Sequence, residues 1–289
     1  MIPLVRNNYL RHSGSGETFA CEFDRLPHIH GNYYQESVLA AEEIDALKTG
    51  DLHILYSGGI DSEFALAVFL ELGIKIKPVV IRLNPHYNDH DIEYALEFCR
   101  SRGVTPTIID IDFDWFVSSG KILEIATEAR SSVYHRSATA WAAAQLDGTV
   151  ICGDGEPYIR LNLDKSWKIE IDEHDYVVYN YMKLKGIPGT VHFNRYRAEQ
   201  YAAWITDPRM SALADNRLPG KLGSNSSKHI MYNRHSPFKL VERAKYTGYE
   251  KIEQCEIFNH PNIVELVKQG KQYQGLAAFD YHEFIKNYV

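Results

Sequence analysis

The chain has 289 residues, of which 45% are hydrophobic, and it carries a formal net charge of −7. This composition supplies a sizeable core, and the acidic balance argues against a protein that binds nucleic acid over its whole surface. No run approaches the ~18 uninterrupted apolar residues of a membrane span, and the first residues lack the apolar segment of a secretory signal, so we expect a cytoplasmic protein that does not bind membranes.

The first part of the chain has a mixed character. Residues 1 to about 33 have the pattern of irregular or short-stranded structure. Apolar residues at helical spacing then predict a helix over about 35–48, which Gly50 ends. We interpret residues 1–49 as an N-terminal extension that contains one helix.

From residue 50 onwards, strands and helices alternate. Short apolar runs predict strands at 52–56, 75–83, 107–112 and 149–152. The segments between them predict helices at 63–72, 90–102, 114–128 and 133–146, with Asp89 as the N-cap of the second. Strands separated by helices of this length form a parallel sheet with right-handed crossovers. The sequence therefore predicts an α/β core, a doubly wound parallel sheet, over residues 50–156.

After Glu156 the alternation is lost. A single strand is predicted at 167–171, and helices are predicted at 175–185, 194–205, 236–245 and 261–270. Ser236 and His260 each precede a proline, which is typical of a helix start. We interpret residues 157–289 as a mainly helical appendage that forms a substrate or lid region.

The loop after the first core strand has the residues of a phosphate cradle. It consists of Ser57, Gly58, Gly59, Ile60, Asp61 and Ser62. Adjacent glycines let backbone N–H groups approach a ligand closely, serine hydroxyls add donors, and the start of the following helix favours an anion. A carboxylate beside a phosphate suggests a bridging Mg²⁺. The patterns GxxxxGK[ST] and GxGxxG are absent, which disfavours a kinase or a dinucleotide-dependent dehydrogenase.

The loop SGGIDS resembles the SGGxDS signature of the PP-loop ATP pyrophosphatases, which have an adenine-nucleotide α-hydrolase-like fold. The resemblance covers about residues 50–155. It implies that ATP is cleaved between its α and β phosphates, that AMP passes to a substrate oxygen, and that ammonia, an amine or a sulfur donor then displaces AMP. It also implies that residues 57–62 hold pyrophosphate, that Asp61 helps to hold Mg²⁺, and that the backbone near Ile81 and Leu83 receives adenine.

A second acidic turn follows the fourth core strand. Cys152 leads into Gly153-Asp154-Gly155-Glu156. In asparagine synthetase-like members a similar turn supplies a second magnesium ligand, so Asp154 is our candidate for that role, with Glu156 second. A carboxylate between glycines can equally be a simple turn former. Arg130 and Arg136 are further candidates, for binding a substrate carboxylate.

The segment 217–251 is basic within an acidic chain. It carries eight lysines and arginines against Glu242 and Glu250. Such a segment could be a solvated basic face, or it could close over the site and stabilise the negative charge that develops on phosphate oxygens. The candidates for that role are Lys221, Lys228, Arg234 and Lys239.

Motifs that the sequence lacks exclude some of the reactions known for PP-loop enzymes. Thiolating and cluster-dependent relatives usually carry paired cysteines. The four cysteines of this chain are far apart and form no CxxC, which disfavours those two classes of enzyme. The asparagine synthetase-like synthetase domain fits best, but position 2 is Ile and only about fifty residues precede the loop, so we expect no glutaminase domain. The leading hypothesis is an ATP- and Mg²⁺-dependent adenylating ligase that forms carbon–nitrogen bonds on a small carboxylate or amide substrate.

Two other functions remain open from the sequence. One is a PP-loop enzyme that modifies tRNA or a nucleobase, with residues 217–251 holding the nucleic acid. The other is a non-catalytic ATP-binding protein that kept the fold. A homodimer is compatible with either, and with the leading hypothesis.

Overall fold

The chain starts with a β-hairpin and a long helix. Strands β1 (Leu10–Ser13) and β2 (Ala20–Phe23) pair antiparallel, and α1 spans Tyr33–Leu47. The side chains and N–H groups of Asn32 and Gln35 bond reciprocally, forming a capping box that fixes the start of α1. The computed structural model describes residues 6–14, 18–29, 31–215, 228–241 and 252–289.

The elements of the core follow the predicted alternation. They are β3 (Leu52–Leu55), α2 (Ile60–Glu71), β4 (Lys77–Asn84), α3 (Asp89–Ser101), β5 (Thr107–Asp112), α4 (Phe113–Ser118), α5 (Lys121–Ala129), α6 (Tyr134–Ala143) and β6 (Thr149–Cys152). All four predicted strands are confirmed. The helix predicted at 114–128 is two helices, because Gly120 takes a φ of 81° between them. The predicted N-cap of α3 is wrong by one residue, since Asn88 holds that position.

The second half contains more strands than the sequence predicted. Its elements are β7 (Tyr158–Leu161), β8 (Trp167–Asp172), α7 (Val177–Lys185), β9 (Gly189–Thr190), α8 (Ala198–Ile205), α9 (Pro208–Ala214), α10 (Lys228–His235), α11 (Pro261–Gly270), β10 (Leu276–Asp280) and α12 (Tyr281–Tyr288). Strands β10, β8 and β7 form an antiparallel sheet in that order, of which only β8 was predicted.

The helix predicted at 236–245 is wrong over its described part, since residues 236–241 are not helical. Ser236 does not start a helix there. Its hydroxyl instead donates to the carbonyl of Tyr232 at 2.7 Å and so terminates α10. Residues 242–245 lie outside the described residues.

The five parallel strands lie in the order β5-β4-β3-β6-β9. The chain runs from the central strand β3 outward to β4 and β5, and then returns to the other side of β3 to add β6 and β9. The doubly wound α/β fold is therefore confirmed. In such a sheet the loops after the two strands at the reversal diverge and leave a crevice in which ligands bind. Here the reversal lies between β3 and β6.

Helix α2 is held rigidly at that crevice. Its residues from Ser62 to Phe69 are all buried, because α1 and α10 cover the face opposite the sheet. The Phe64 ring stacks on Tyr232 of α10 at 4.3 Å between centroids and on Tyr33 of α1 at 5.6 Å. Although α2 is apolar all round, no helix in the described ranges has the length and apolar character needed to cross a bilayer.

Candidate active site

Residues 57–62 form a tight turn that carries the chain from β3 into α2, with Gly59 as the N-cap and Ile60 as the first helical residue. The hydroxyl oxygens of Ser57 and Ser62 lie 3.1 Å apart. Ser62 also donates to the carbonyl of Gly59 at 3.0 Å, and the N–H of Gly59 donates to Ser57 at 3.3 Å. The turn is thus preformed, with two hydroxyls and the start of a buried helix at its mouth.

The two glycines of this turn have different reasons to be glycine. Gly58 has a φ of 79°, and a Cβ there would lie 2.4 Å from the carbonyl oxygen of Asp91, so the fold itself requires it. Gly59 has an ordinary extended backbone, and a Cβ there would meet only the hydroxyl of Ser57, at 3.3 Å. Gly59 is exposed. Since folding makes little demand at Gly59, close approach of a ligand explains it better.

Helix α10 places a lysine and a tyrosine on the carboxylate of Asp61. The Lys228 ammonium lies 2.9 Å from one oxygen of Asp61, and the Tyr232 hydroxyl donates to the other at 2.6 Å. The two side chains come from positions i and i+4 of α10, which share one helix face. Lys228 also makes an ion pair with Glu156, and it lies 5.4 Å from the ring centroid of Tyr158. Asp61 and Glu156 therefore share one cation.

The charges of this cluster are strongly coupled. Glu156 is only 7% exposed, and its burial, reinforced by the negative charge of Asp61 and opposed by Lys228, raises its pKa to about 7. Burial by itself would lower the pKa of Lys228, but the two carboxylates more than offset it and hold that pKa well above the ordinary value. Lys228 therefore stays charged. When both carboxylates are ionised, Asp61 and Glu156 carry two negative charges against the single positive charge of Lys228, so the cluster can accept a further cation.

Asp154 takes a different partner from Asp61. Its side chain is 42% exposed and forms an ion pair with Arg136 of α6. The structure thus brings Asp61, Glu156 and Lys228 together, and it places Asp154 and Arg136 beside them on the wall of the adjoining cavity. Arg130 lies elsewhere, on the wall of a different cavity next to the β-hairpin.

Asn194 joins the loops that follow β3 and β6, and it was not among the site residues predicted from the sequence. Its side-chain amide donates to the carbonyl of Gly153 and, at 3.4 Å, to that of Asp61. The hydroxyl of Tyr33 reaches the side-chain oxygen of Asn194 at 3.2 Å. A Cβ on Gly153 would lie 2.4 Å from the Cα of Ser62, so the β6 loop also packs directly on the start of α2. The sequence placed Asn194 only at the start of the helix predicted at 194–205, which gave no signal of a role at this site.

A cavity of about 240 Å³ opens beside the turn. The ends of β3, β4 and β6 form its floor, and α3 and α6 form its sides. Its walls include Ser57, Gly59, Ile81, Leu83, Asn88 and Arg136. Cys152 also lines the cavity, but burial raises the pKa of its thiol, so it is poorly suited to act as a nucleophile. The cavity therefore joins the proposed phosphate turn to the proposed adenine strand.

Arg234 and Lys239, two of the other basic candidates, have partners away from this site. Arg234 pairs with Asp207 at 2.9 Å, and Lys239 donates to the carbonyl of Asn233 at 2.8 Å. Lys221 lies outside the described residues. Of the four basic candidates, Lys228 is the one that the structure places against Asp61. Among the described residues no three or more His, Cys, Asp or Glu side chains are arranged to hold a metal ion by themselves.

No family model matches the chain, and no curated protein is similar to it in sequence. Solved structures that match part of the chain include two of low similarity. NMN synthetase from Francisella tularensis is 18% identical over 74% of this chain and 98% of that chain, with a TM-score of 0.35. A predicted subunit of tRNA methyltransferase from Methanocaldococcus jannaschii is 18% identical over 54% of this chain and 75% of that chain, with a TM-score of 0.31. Similarities of this size do not indicate a reaction or a substrate.

Proposed function

We propose that the chain is an ATP pyrophosphatase of the PP-loop type, which transfers AMP to an oxygen of a small carboxylate or carbonyl substrate and releases pyrophosphate. The observation that carries the proposal is the convergence of Asp61, Glu156 and Lys228 at the start of α2, next to the turn of residues 57–62. An anion-binding turn needs no carboxylates for the phosphate alone. Carboxylates at its mouth fit a nucleotide that arrives with a divalent cation.

The chain's own residues would bind the nucleotide through its charges. The hydroxyls of Ser57 and Ser62 and the N–H groups of the turn and of the first turn of α2 would hold the β and γ phosphates. Mg²⁺ is held in proteins by one or two carboxylates together with substrate phosphates. Asp61 and Glu156 fit that pattern because they already share a cation, and the metal would neutralise phosphate charge when bound.

The proposed reaction has two bond exchanges. An oxygen of the substrate attacks the α phosphorus, a new P–O bond forms, and the bond to the β-phosphate bridging oxygen breaks, so that pyrophosphate leaves. Lys228 can stabilise the charge that grows on these oxygens, since its ammonium stays protonated at the mouth of the turn. Ammonia or an amine would then attack the activated carbon, lose a proton and expel AMP.

The products of ATP test the proposal. The purified chain is incubated with Mg²⁺ and ATP labelled at the α phosphate, with and without pools of small carboxylates and ammonia. We expect labelled AMP and pyrophosphate in equal amounts, formed only in the presence of a suitable acceptor. Asp61→Asn serves as the inactive control. ADP as the product would reject the mechanism, and ATP binding without turnover would favour a non-catalytic nucleotide-binding protein.

A tRNA- or nucleobase-modifying enzyme is the second candidate, because residues 217–251 are strongly basic. Of the three lysines and arginines there that the structure describes, Lys228 pairs with Asp61 and Arg234 with Asp207, while Lys239 donates to a backbone carbonyl; two of the three are thus engaged by carboxylates, which favours a small acceptor instead. Filter binding of tRNA over a salt titration separates the two. A steep loss of affinity with salt indicates contacts to several phosphates, whereas weak binding at all salt concentrations supports the small acceptor.

A further inference from the structure

Strand β4 extends past the end of its neighbour β3. The last bond between them runs from the N–H of Tyr56 to the carbonyl of Val79, at 2.8 Å. Beyond it, Ile81 and Leu83 line the cavity with no strand beside them on that side. Backbone groups that are left in such a position need hydrogen-bond partners.

The side chain of Asn88 supplies those partners. Its amide nitrogen donates to the carbonyl of Ile81 at 2.8 Å, and its oxygen accepts from the N–H of Leu83, also at 2.8 Å. The orientation of the amide is fixed by chemistry, since one partner is a carbonyl and the other an N–H. The amide therefore continues the ladder of β4 where β3 no longer reaches.

The amide of Asn88 presents to β4 the same donor and acceptor that the edge of adenine would present. A primary amide carries its donor nitrogen and its acceptor oxygen on one sp² carbon. Adenine carries a donor amine on a ring carbon whose neighbouring ring nitrogen is an acceptor, so both present the same donor and acceptor at a similar separation. In the same orientation guanine presents an acceptor followed by a donor. The backbone of Ile81 and Leu83 thus suits adenine, and Asn88 imitates it.

We propose that Asn88 occupies the adenine-binding edge of β4 when no nucleotide is bound, and that ATP must displace its amide to bind. The inference rests on the proposed function, because it takes ATP as the ligand of this cavity. Asn88 is then a residue that sets nucleotide affinity and base selectivity. It competes with adenine for Ile81 and Leu83, and its own amide satisfies the carbonyl of Ile81 and the N–H of Leu83.

The position of Asn88 makes this role testable by substitution. Asn88 precedes α3 at the N-cap position, but its side chain does not cap that helix. A shorter side chain therefore removes the two bonds to β4 without removing a helix cap. Serine is too short to reach both partners and is itself well tolerated at an N-cap. Asn84→Ala is the matched control, because Asn84 ends the same strand but donates to Asp110 on the exposed side.

The experiment measures dissociation constants for ATP, GTP and inorganic tripolyphosphate by calorimetry. The wild type, Asn88→Ser, Asn88→Ala and Asn84→Ala are compared, each checked for folding by thermal melting. We expect both Asn88 variants to bind ATP about three- to tenfold more tightly, because ATP no longer has to break the two hydrogen bonds of Asn88 to β4. Water can replace one of these bonds in the variants, so the expected gain corresponds to about one neutral hydrogen bond. Affinity for tripolyphosphate should not change, and GTP should gain less than ATP.

Each outcome bears on one of the two proposals. If the wild type and the variants all fail to bind ATP, the proposed function is rejected and the role of Asn88 with it. If ATP binds but the Asn88 variants bind it equally or more weakly, only the role of Asn88 is rejected. A gain that extends equally to tripolyphosphate would also reject it, because that ligand has no base. A structure with bound ATP in which Asn88 keeps both bonds to β4 would do the same.

Discussion

Lys228 holds the two acidic parts of the candidate site together through a single ammonium group. Its side chain is 12% exposed, and it lies between Asp61, at the start of α2, and Glu156, after β6. The carboxylates belong to different loops, so their mutual repulsion would otherwise act between the two halves of the crevice. At the scale of one residue, this lysine is both a structural counter-ion and a cation in direct contact with the turn of residues 57–62, through Asp61.

Replacing Lys228 by methionine should separate these two roles. Without the ammonium, the half-buried carboxylate of Asp61 and the buried carboxylate of Glu156 face each other, so we expect a lower melting temperature than in the wild type. Added Mg²⁺ should recover more of that loss in Lys228→Met than in the control Lys239→Met, because a divalent cation can take the ammonium's place. Pyrophosphate release should fall by about 10²- to 10³-fold. Equal responses of both variants to Mg²⁺ would contradict a cation site between Asp61 and Glu156.

The two glycines of the turn give a second prediction. Gly59→Ala should fold with nearly unchanged stability, yet bind ATP about tenfold more weakly or worse, because a methyl group would stand where phosphate approaches. Gly58→Ala should instead lose stability, since its φ and the carbonyl of Asp91 both exclude a side chain. Thermal melts and ATP calorimetry on both variants check this. Loss of folding in Gly59→Ala would show that the glycine is structural.

At the scale of elements, the site depends on how closely the β6 loop is held against the start of α2. Gly153 lies on the backbone of Ser62, and Asn194, in the short 3₁₀ turn after β9, bonds to both loops. Asn194 is fully buried. The fifth strand of the sheet therefore serves the site indirectly, because it delivers the residue that joins the loops of β3 and β6.

Asn194→Ala should loosen this junction. It removes the amide that donates to the carbonyls of Gly153 and Asp61, which costs about 1–3 kcal/mol of unfolding free energy, while the hydroxyl of Tyr33 keeps its 2.9 Å bond to the backbone carbonyl of residue 194. Urea unfolding measures that loss. Asn162→Ala, in the turn between β7 and β8, is the control and should change stability by less than about 0.5 kcal/mol. Pyrophosphate release should fall in Asn194→Ala alone; an unchanged rate would show that the junction is not needed for catalysis.

At the scale of the whole molecule, three histidines that are shielded from water make the fold sensitive to acid. Burial lowers the pKa of His12 to about 4, and it holds the pKa values of His135 and His192 well below the ordinary value. In the unfolded chain these histidines bind protons near pH 6.5. Between about pH 6.5 and 4 these three histidines therefore bind more protons in the unfolded state than in the native state, and the one proton that native Glu156 retains through its raised pKa offsets only part of that difference. Stability should fall as the pH falls through that range.

His12 is the best of the three histidines to substitute. Its ring packs on Tyr176 with 3.4 Å between centroids, and phenylalanine can keep that packing. The melting temperature of the wild type should drop between pH 7.5 and pH 5, and that of His12→Phe should drop less. His282→Phe, at an exposed position, is the control and should follow the wild type. Parallel curves for wild type and His12→Phe would reject the contribution of His12.

The sequence alone determined the elements of the core, and it carries the motif on which the proposed chemistry of the central turn rests. The spacing of apolar residues and the glycines that end each element are local signals, so the strands β3 to β6 and the α/β class followed directly from them. The motif at residues 57–62 is equally local. The two-residue strand β9 and the antiparallel sheet were missed because their runs are short or have no partner nearby in sequence, and pairing is what stabilises them.

Only the tertiary structure decided which residues meet at the site. Lys228 reaches Asp61 across 167 positions, and Asn194 across 133, so no spacing rule could connect them. The order of the strands brings the loops of β3 and β6 together, and packing of α10 on α2 selects Lys228 and Tyr232. Glu156 turned inward to share that lysine while Asp154 turned to Arg136. Such choices depend on burial and on the charges that surround each carboxylate, and these exist only once the chain has folded.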